Sequence, residues 1–321
     1  MRSPLEKRPI LVVHRDKKTV RTVHRILGGT FCPIEIVETL AEAEAKLAET
    51  QPYLVVVDHE IVLEDHQNGV LARRGGAPCL VLMQDTEPDD VATMLGLDHL
   101  SYLMANPMPL LAEEMSVTAL KLMRREIWGL EKYLSWGTEI REHVLDDAEQ
   151  RVAVVERLDA DVHAAGFGPR VAAQATLIAD ELLSNALYNA PVDAGGARYR
   201  GDVPRHGTRA LTEREQVRLR YACDARYLAV EVGDYFGSLD RATILRCLAK
   251  AGGRRVEKVS MDTRGAGIGL ATVYGTCNHL VFNLDPGRRT EVIALIDVRF
   301  RPAELSNALC SFGVFTAEES P

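Results

Sequence analysis

Short apolar runs alternate with helical patterns along the first third of the chain. Residues 10–13, 53–57 and 79–83 are apolar throughout, which is typical of strands buried on both faces. Residues 18–27 and 40–49 carry apolar side chains at helical spacing. Buried strands separated by helices pair in parallel through right-handed crossovers. The pattern predicts an α/β doubly wound domain over residues 1–111.

Residues 112–147 form a second zone of helix-forming composition, with no proline and only Gly129 and Gly137 as glycines. This composition predicts a helical linker. Seven apolar residues fit one helical stripe and predict dimerisation helices. They are Leu111, Met115, Leu122, Ile127, Leu130, Leu134 and Ile140.

Residues 148–300 form a third zone, in which helical and strand patterns are mixed. A helix is predicted over 170–190, followed by a loop rich in proline, glycine and aspartate. Alternating strands follow at 217–221 and 227–232, and a final strand pair at 280–283 and 291–298. Helices laid against an antiparallel sheet make an α+β sandwich. Residues 301–321 are interpreted as a C-terminal tail.

Composition narrows the class of protein. The chain has 321 residues, of which 46% are hydrophobic, enough for two domains with sizeable cores. A net charge of −8 argues against a broad electrostatic grip on nucleic acid or on an anionic membrane. The six cysteines lack zinc-ligand spacing, and no apolar run approaches the roughly 18 residues of a membrane span. We expect reduced thiols and a cytoplasmic protein.

The predicted helix of the third zone carries a polar face. Glu181, Asn185 and Asn189 are spaced four residues apart and share that face. Their carboxylate and amide oxygens suit a hard cation such as Mg²⁺ near a phosphate. The same spacing also occurs on helices whose polar face is only solvated, so the pattern alone does not decide.

Two further elements follow in the chain. Asp234 ends a predicted strand, where it serves either as an acceptor for an adenine amino group or as a turn or cap residue. Gly265, Gly267 and Gly269 precede a helical pattern, and such glycines let backbone amides approach phosphates. They are also compatible with simple turn punctuation or with a Rossmann motif, although no long buried strand precedes them.

In their order and spacing, these elements resemble the N box, G1 box, G2 box and final Gly-Thr strand of the GHKL (Bergerat-type) ATPases. The resemblance covers residues 148–300 and implies that ATP and Mg²⁺ bind there. By this resemblance, Glu181 is the general base, and Asn185, with Asn189 beside it, is the ligand of Mg²⁺. Asp234 accepts a hydrogen bond from adenine, with Gly237 in its loop and Thr290 as its support. The lid over the phosphates consists of Gly265, Gly267 and Gly269.

The G1 box departs from the family pattern Asp-x-Gly-x-Gly. Phe236 and Ser238 stand where glycines are expected, and only Gly237 remains between them. We expect these bulkier side chains to narrow the adenine pocket or reshape the hinge of the lid.

The first domain resembles the receiver domains of response regulators. Asp58 follows the second apolar run, at the phosphoacceptor position. The acidic pair that holds Mg²⁺ in receivers is replaced by His14 and Arg15, the hydroxyl residue by Met83, and the lysine by Asn106. A phosphoryl-transfer site without these groups lacks most of its electrostatic stabilisation. The resemblance therefore predicts a pseudo-receiver that serves as an interaction module, with Asp58 a vestigial phosphoacceptor.

Two functions remain open. His143 lacks the neighbourhood of a phosphoacceptor histidine, so the chain does not resemble a complete histidine kinase. The Glu-x-x-x-Asn form of the N box is closer to the anti-sigma serine kinases. We expect a bacterial cytoplasmic signalling regulator that acts on a partner protein as a serine/threonine-kinase-like or ATP-hydrolysing enzyme, and that forms a homodimer. The alternative is a non-enzymatic switch that controls its partner through the pseudo-receiver and the linker.

Overall fold

The structure is a computed structural model of the chain and describes residues 8–65, 69–84, 88–97, 100–105, 110–201, 210–249, 268–299 and 310–317. The chain divides into two compact units. Unit 1 comprises Met1–Ile127 with Ser311–Gly313, and unit 2 comprises Trp128–Cys310 with Val314–Pro321.

Unit 1 is an α/β unit whose elements alternate along the chain. Its strands are β1 (Ile10–Val13), β2 (Ile34–Val37), β3 (Leu54–Asp58), β4 (Cys79–Met83) and β5 (Tyr102–Ala105), and its helices are α1 (Lys17–Leu27), α2 (Leu40–Glu49), α3 (His59–Asp65), α4 (Pro88–Leu95) and α5 (Ala112–Arg124). The strands are parallel in the order β2-β1-β3-β4-β5. Receivers and flavodoxin share this doubly wound order, so unit 1 has a receiver-like fold.

Local sequence explains the clearest of these elements. β1 and β4 are buried along their whole length, as expected for strands covered by helices on both faces. Asp16 caps α1 by accepting a hydrogen bond from Thr19 N at 2.7 Å. Thr39 and Glu42 form a capping box at the start of α2. The strands and helices predicted for residues 10–83 are confirmed, with shifts of a residue at some ends.

Unit 2 is an antiparallel sheet with helices packed on it. Its strands are β6 (Arg141–Leu145), β7 (Val217–Cys223), β8 (Tyr227–Asp234), β9 (His279–Asp285) and β10 (Arg289–Asp297), and its helices are α6 (Gln150–Ala164), α7 (Pro169–Ser184), α8 (Arg241–Ala249) and α9 (Ile268–Thr276). These strands lie in the order β9-β10-β8-β7-β6. Helix α7 packs on β7, β8 and β10 and touches α6 and α9. The predicted α+β arrangement is present in unit 2.

A buried charged layer lies on the sheet of unit 2. Glu231 and Glu291 are fully buried. Arg218 Nη2 lies 3.2 Å from Glu231, and Asn283 Nδ2 donates to Glu291 at 2.7 Å. Burial, and then the neighbouring Glu291 carboxylate, raise the pKa of Glu231. The segment after α5 joins this layer, because Gly129 N donates to Glu291 Oε1 at 3.0 Å.

The predicted helical linker is helical only over its first part, and the prediction is wrong from residue 125 onward. Helix α5 ends at Arg124, and the following Arg125 takes a positive φ of 61°. Residues 141–145 are not helical but form β6, an extended strand along β7, so His143 lies in a strand. Of the predicted stripe, Met115, Ile127 and Leu130 are buried. No dimerisation helix therefore forms over 126–145, and the first boundary lies at residue 127 rather than 111.

The predicted tail also contains a strand. β11 (Ser311–Thr316) pairs with β5 in antiparallel register, with Phe312 opposite Leu103 and Gly313 opposite Tyr102. Ser311 Oγ accepts a hydrogen bond from Ala105 N at 2.9 Å. Within the described ranges, no helix is long and apolar enough to cross a membrane.

Candidate functional site

A cavity of about 280 Å³ opens in unit 2 between α7, β8, α8 and α9. Its wall includes Asn185 and Asn189 from the end of α7, Asp234 from the end of β8, and Thr290 from β10. The remaining wall is mainly apolar, with Leu182, Val232 and Leu270 among its members. An apolar cleft with a few convergent polar groups is the usual form of a small-molecule site.

The end of α7 is shaped by a π-turn. Residues Asn185–Asn189 form one π-helical turn, closed by Ala190 N donating to Asn185 O at 2.9 Å. Asn189 Nδ2 donates to Asn185 Oδ1 at 2.9 Å, so the two amides are locked together. Such turns are frequent at functional sites, because they turn side chains away from the regular helical register.

Glu181 and Gly269 meet at the start of α9. A Cβ added at Gly269 would collide with the Glu181 carboxylate and would lie 3.7 Å from Asn185 Nδ2. A side chain at position 269 would therefore require the Glu181 carboxylate to move from its present place. The structure thus brings together the polar face of α7 and the last glycine of the predicted lid. Gly265 and Gly267 lie outside the described residues.

Asp234 is a buried carboxylate at the end of β8. Its Oδ1 accepts hydrogen bonds from Phe236 N at 2.9 Å and Gly237 N at 3.2 Å. Burial raises its pKa to about 6, against these donors and Thr290, which lower it. Thr290 is the register partner of Asp234, although its hydroxyl makes no hydrogen bond of good geometry. A carboxylate at this depth is available to accept a hydrogen bond from a ligand in the cavity.

Gly237 follows Asp234 in the loop after β8 and takes a backbone conformation that favours glycine. Its φ is +58°, and a Cβ there would lie 2.6 Å from Arg288 N and 2.7 Å from Arg289 N. Gly237 O accepts a hydrogen bond from Gly287 N at 3.0 Å. The glycine is needed because the β9–β10 turn passes directly against it.

Phe236 and Ser238, the two residues at which the sequence departs from the expected glycines, occupy different places. Phe236 is buried outside the cavity wall, with its ring 6.4 Å from that of Tyr199 and under the guanidinium of Arg214. Ser238 lies on the wall, and its Oγ donates to Ala190 O at 2.8 Å. Contrary to the sequence expectation, Phe236 does not narrow the cavity. Ser238 ties the loop to the π-turn.

The side-chain amide of Asn185 is compatible with binding the Mg²⁺ of a nucleotide. Asn185 Nδ2 is buried and has no hydrogen-bond partner in the described part of the chain. If both amides rotate by 180°, Asn185 Nδ2 donates to Asn189 Oδ1, and Asn185 Oδ1 takes the unpartnered position, where it suits a hard cation. No group of three or more histidine, cysteine or acidic residues in the described ranges forms a metal site by itself.

In unit 1, Asp58 lies at the carboxyl end of β3 between two histidines. Asp16 N donates to His14 Nδ1 at 3.0 Å, so His14 Nε2 carries the proton and faces Asp58 Oδ2 at 3.2 Å. His59 Nδ1 lies 3.1 Å from Asp58 Oδ1, outside good hydrogen-bond geometry. Contact with Asp58 raises the pKa of His59 more than burial lowers it. Burial lowers the pKa of His14.

The other receiver positions hold no replacement for the acidic pair. Arg15 Nη2 pairs with Glu64 at 2.6 Å on the surface. Asp16, the one acidic residue nearby, is used as the cap of α1. Met83 ends β4 as a buried apolar residue. Asn106 lies outside the described residues.

Sequence reasoning missed two arginines of the cavity wall. Arg198 follows the turn after α7, and Arg246 lies on α8. Neither belongs to a motif, and a lone surface arginine carries no signal in a single sequence. Only the folded positions of the loop and of α8 bring them to the wall.

No family model matches the chain, and no curated protein matches it. Three solved structures resemble part of it. A response regulator from Hahella chejuensis is 14% identical at a TM-score of 0.33, over 38% of this chain and 99% of that one. A receiver domain of a histidine kinase from Syntrophus aciditrophicus is 18% identical at 0.29, over 40% and 98%. The SiaB-SiaC complex from Pseudomonas aeruginosa is 14% identical at 0.31, over 48% and 88%. Because the three TM-scores are low, these likenesses carry no argument, and the receiver-like fold of unit 1 is assigned from the order of its own strands.

Proposed function

We propose that the chain is a signalling regulator that binds Mg-ATP in unit 2, through a GHKL-type site, and acts on a partner protein. One observation carries the proposal. Asn185 at the end of α7, Asp234 on β8 and Thr290 on β10 are far apart in the sequence and converge on the wall of one cavity. Glu181 and Gly269 meet each other beside Asn185. Each is a residue type that a nucleotide site needs at that place.

In this proposal, different residues of the site bind the base, bind the metal ion and accept a proton. Asp234 accepts a hydrogen bond from the adenine amino group at the buried end, and Thr290 supports it from β10. Asn185 offers an amide oxygen to Mg²⁺. Glu181, one turn earlier on α7, accepts the proton of an attacking hydroxyl or water. ATP, when bound, supplies the phosphoryl group.

The receiver-like unit supports a signalling role. Asp58 stands at the phosphoacceptor position but is held between His14 and His59. Because the metal-binding carboxylates are replaced, unit 1 is proposed to bind a regulatory partner rather than to accept a phosphoryl group. Within this proposal, unit 2 is a serine/threonine-kinase-like or ATP-hydrolysing enzyme.

A non-enzymatic switch is the second candidate, and one contact favours it. The Glu181 carboxylate packs directly against Gly269. Glu181 is half-buried, and α9 covers one side of its carboxylate, which limits the directions from which a nucleophile can approach it. A protein that binds nucleotide without turnover needs no such approach.

Binding of Mg-ATP tests the proposal. Asn185→Ala is expected to weaken Mg-ATP binding about tenfold or more, because a ligand to the metal is lost, and to leave metal-free ATP almost unaffected. Calorimetry with Mg²⁺ and with a chelator separates the two. Gln174→Ala, on the same helix, is the matched control, because Gln174 donates to Thr276 O and does not line the cavity.

Two results would contradict the proposal. One is the absence of a thermal shift in the wild-type protein at millimolar Mg-ATP, since a bound ligand must stabilise the folded state. The other is equal weakening by Asn185→Ala with and without Mg²⁺, which would place the effect in packing rather than in metal binding.

A further inference from the structure

Two arginines on the wall of the unit 2 cavity have no carboxylate partner in the described part of the chain. Arg198 and Arg246 are both exposed at its mouth. Arg246 Nη2 donates to Thr243 Oγ1 at 3.0 Å, a neutral group. Among the described residues, neither guanidinium forms an ion pair. Within the ranges that the structure describes, nothing balances their positive charge, and Asp234, which is buried, is the single acidic residue of the cavity wall.

Two other arginines packed around the site are paired. Arg151 donates to Asp180 at 2.8 Å, and Arg200, which is almost fully buried, lies 2.8 Å from Glu215. Arg214 also forms no ion pair among the described residues, but its guanidinium lies over the Phe236 ring and donates to Tyr235 O. Arg198 and Arg246 instead lie on the cavity wall, where an anion in the cavity can pair with them.

The backbone around Arg198 is fixed before any ligand binds. Asp193 N donates to Ala197 O at 2.9 Å, and Val192 bridges to Arg198 across the turn. Arg198 therefore closes a short hairpin directly after the π-turn. A guanidinium on a fixed backbone loses less conformational entropy on binding than one on a mobile loop.

The two residues after Arg198 anchor it from the other side. Tyr199 packs edge-on against Phe236 and donates to Glu215 Oε1 at 3.0 Å. Arg200 is buried on the same Glu215. The phenylalanine that replaces a glycine of the G1 box thus provides the surface against which this strap, residues 198–200, is held.

We propose that Arg198 and Arg246 together bind the second and third phosphates of a nucleoside polyphosphate. The inference rests on the proposed nucleotide site. If Asp234 at the buried end receives the base, the phosphates lie toward the mouth, where the arginines stand. Guanidinium groups bind phosphate oxygens through paired, charge-assisted hydrogen bonds. The pair selects ligands with two or three phosphates over a nucleoside or its monophosphate.

The test measures dissociation constants of the full chain by calorimetry with Mg-ATP, Mg-ADP, AMP, adenosine and inorganic tripolyphosphate. The variants are Arg198→Gln, Arg246→Gln and both together, with the exposed Arg170→Gln on α7 as a matched charge control. Each cavity variant is expected to weaken ATP and ADP by roughly 10- to 100-fold, the usual effect of losing a hydrogen bond between charged groups. Adenosine affinity is expected to stay unchanged, and tripolyphosphate binding to be lost in the double variant.

The outcomes separate this inference from the function on which it rests. If the wild-type protein binds ATP and ADP, and the two cavity variants behave like Arg170→Gln, the arginine pair is wrong while the nucleotide site stands. If adenosine weakens as much as ATP, the arginines shape the pocket and do not bind phosphate, which also overturns the inference. If the wild-type protein binds no adenine ligand but binds tripolyphosphate through the arginines, the pair stands and the adenine site falls. Unchanged thermal unfolding of each variant confirms that it is folded.

Discussion

The fold of unit 2 buries the carboxylate of Asp234, and burial disfavours the ionised form of a carboxyl group. It lies almost completely buried, and its hydrogen-bond donors are the backbone N–H groups of Phe236 and Gly237. Two such donors lower a carboxyl pKa, but here burial is the larger effect, and the pKa rises to about 6. Buried ionisable groups with shifted pKa values are characteristic of functional sites, where binding is favoured at the expense of folding stability.

The sign of this shift predicts how stability depends on pH. The pKa of Asp234 is about 6 in the folded state, against 3.8 in the unfolded chain, so the folded state binds more protons between these values. Stability from this group is present below pH 3.8 and is lost as pH rises through 6. Asp234→Asn keeps the acceptor oxygen and removes the titration. Relative to wild type, it should gain up to about 3 kcal/mol in the free energy of unfolding between pH 4 and pH 7.5.

Urea unfolding at a series of pH values measures this difference. Asp285→Asn, at the end of β9 near the same turn, is the control substitution. If the difference between Asp234→Asn and wild type does not change with pH, Asp234 is not held protonated by burial.

For individual residues, the sequence indicates which side chains belong to the candidate site, but it does not indicate which neighbours they contact. Glu181, Asn185, Asp234 and Gly269 could be chosen because helical spacing and a strand end fix where such side chains point. Phe236 was interpreted as an obstruction, since the motif does not show which way a loop side chain turns. Its direction is set by Tyr199, which is more than thirty residues away in the sequence.

At the scale of elements, the turn between β9 and β10 depends on a glycine outside it. Gly237 has a φ of +58°, and a side chain there would meet the backbone of residues 285–289. Backbone atoms cannot move aside as a flexible side chain can. Gly237→Ala should therefore destabilise the protein by roughly 2–4 kcal/mol, from left-handed strain and from displacement of the turn.

Gly287→Ala separates the two causes. Gly287 also has a positive φ, of +74°, but a Cβ there meets nothing within 4 Å. It should cost only the conformational strain, roughly 1–2 kcal/mol. Equal losses in urea unfolding for the two variants would show that the close approach at Gly237 adds nothing.

The elements that the sequence missed share a physical cause. β6 reads as Arg-Glu-His-Val-Leu, and its charged residues suit a sheet edge, so its pattern gives no apolar alternation. The helical prediction failed after Arg124 because Ile127 and Leu130, which fit the helical spacing, are buried in a segment that is not α-helical. Strands β1, β3 and β4 were found because they are buried on both faces and leave an unbroken apolar run.

At the scale of the whole molecule, the receiver-like unit raises the question of whether the protein receives a phosphoryl group. We expect that Asp58 is not stably phosphorylated by acetyl phosphate. His14 Nε2 and His59 Nδ1 lie 3.2 Å and 3.1 Å from its two oxygens, and no carboxylate stands at position 14 or 15 to hold Mg²⁺. Intact-protein mass spectrometry measures the modification, with Asp58→Ala as the control for its position. A robust mass increase that disappears in Asp58→Ala would make unit 1 a working receiver.

Substitution of Glu181 distinguishes an enzyme from a switch that only binds nucleotide. If unit 2 transfers or hydrolyses the terminal phosphate of ATP, a carboxylate must accept the proton of the nucleophile, and Glu181 stands one turn from Asn185. Glu181→Ala and Glu181→Gln should then leave ATP affinity nearly unchanged and reduce turnover by roughly 10²-fold or more, the usual contribution of a positioned base. Turnover is measured by phosphate release and by transfer to candidate partner proteins, since a kinase without its acceptor is silent.

The glutamine variant distinguishes chemistry from packing. Glu181 touches Gly269, so removing its side chain in Glu181→Ala also removes a contact with α9. Glutamine keeps that contact and loses only the basicity. If Glu181→Gln retains turnover while Glu181→Ala loses it, Glu181 positions α9 and another group is the base. If the wild-type rate equals that of both variants with partners present, unit 2 is a switch that binds nucleotide without consuming it.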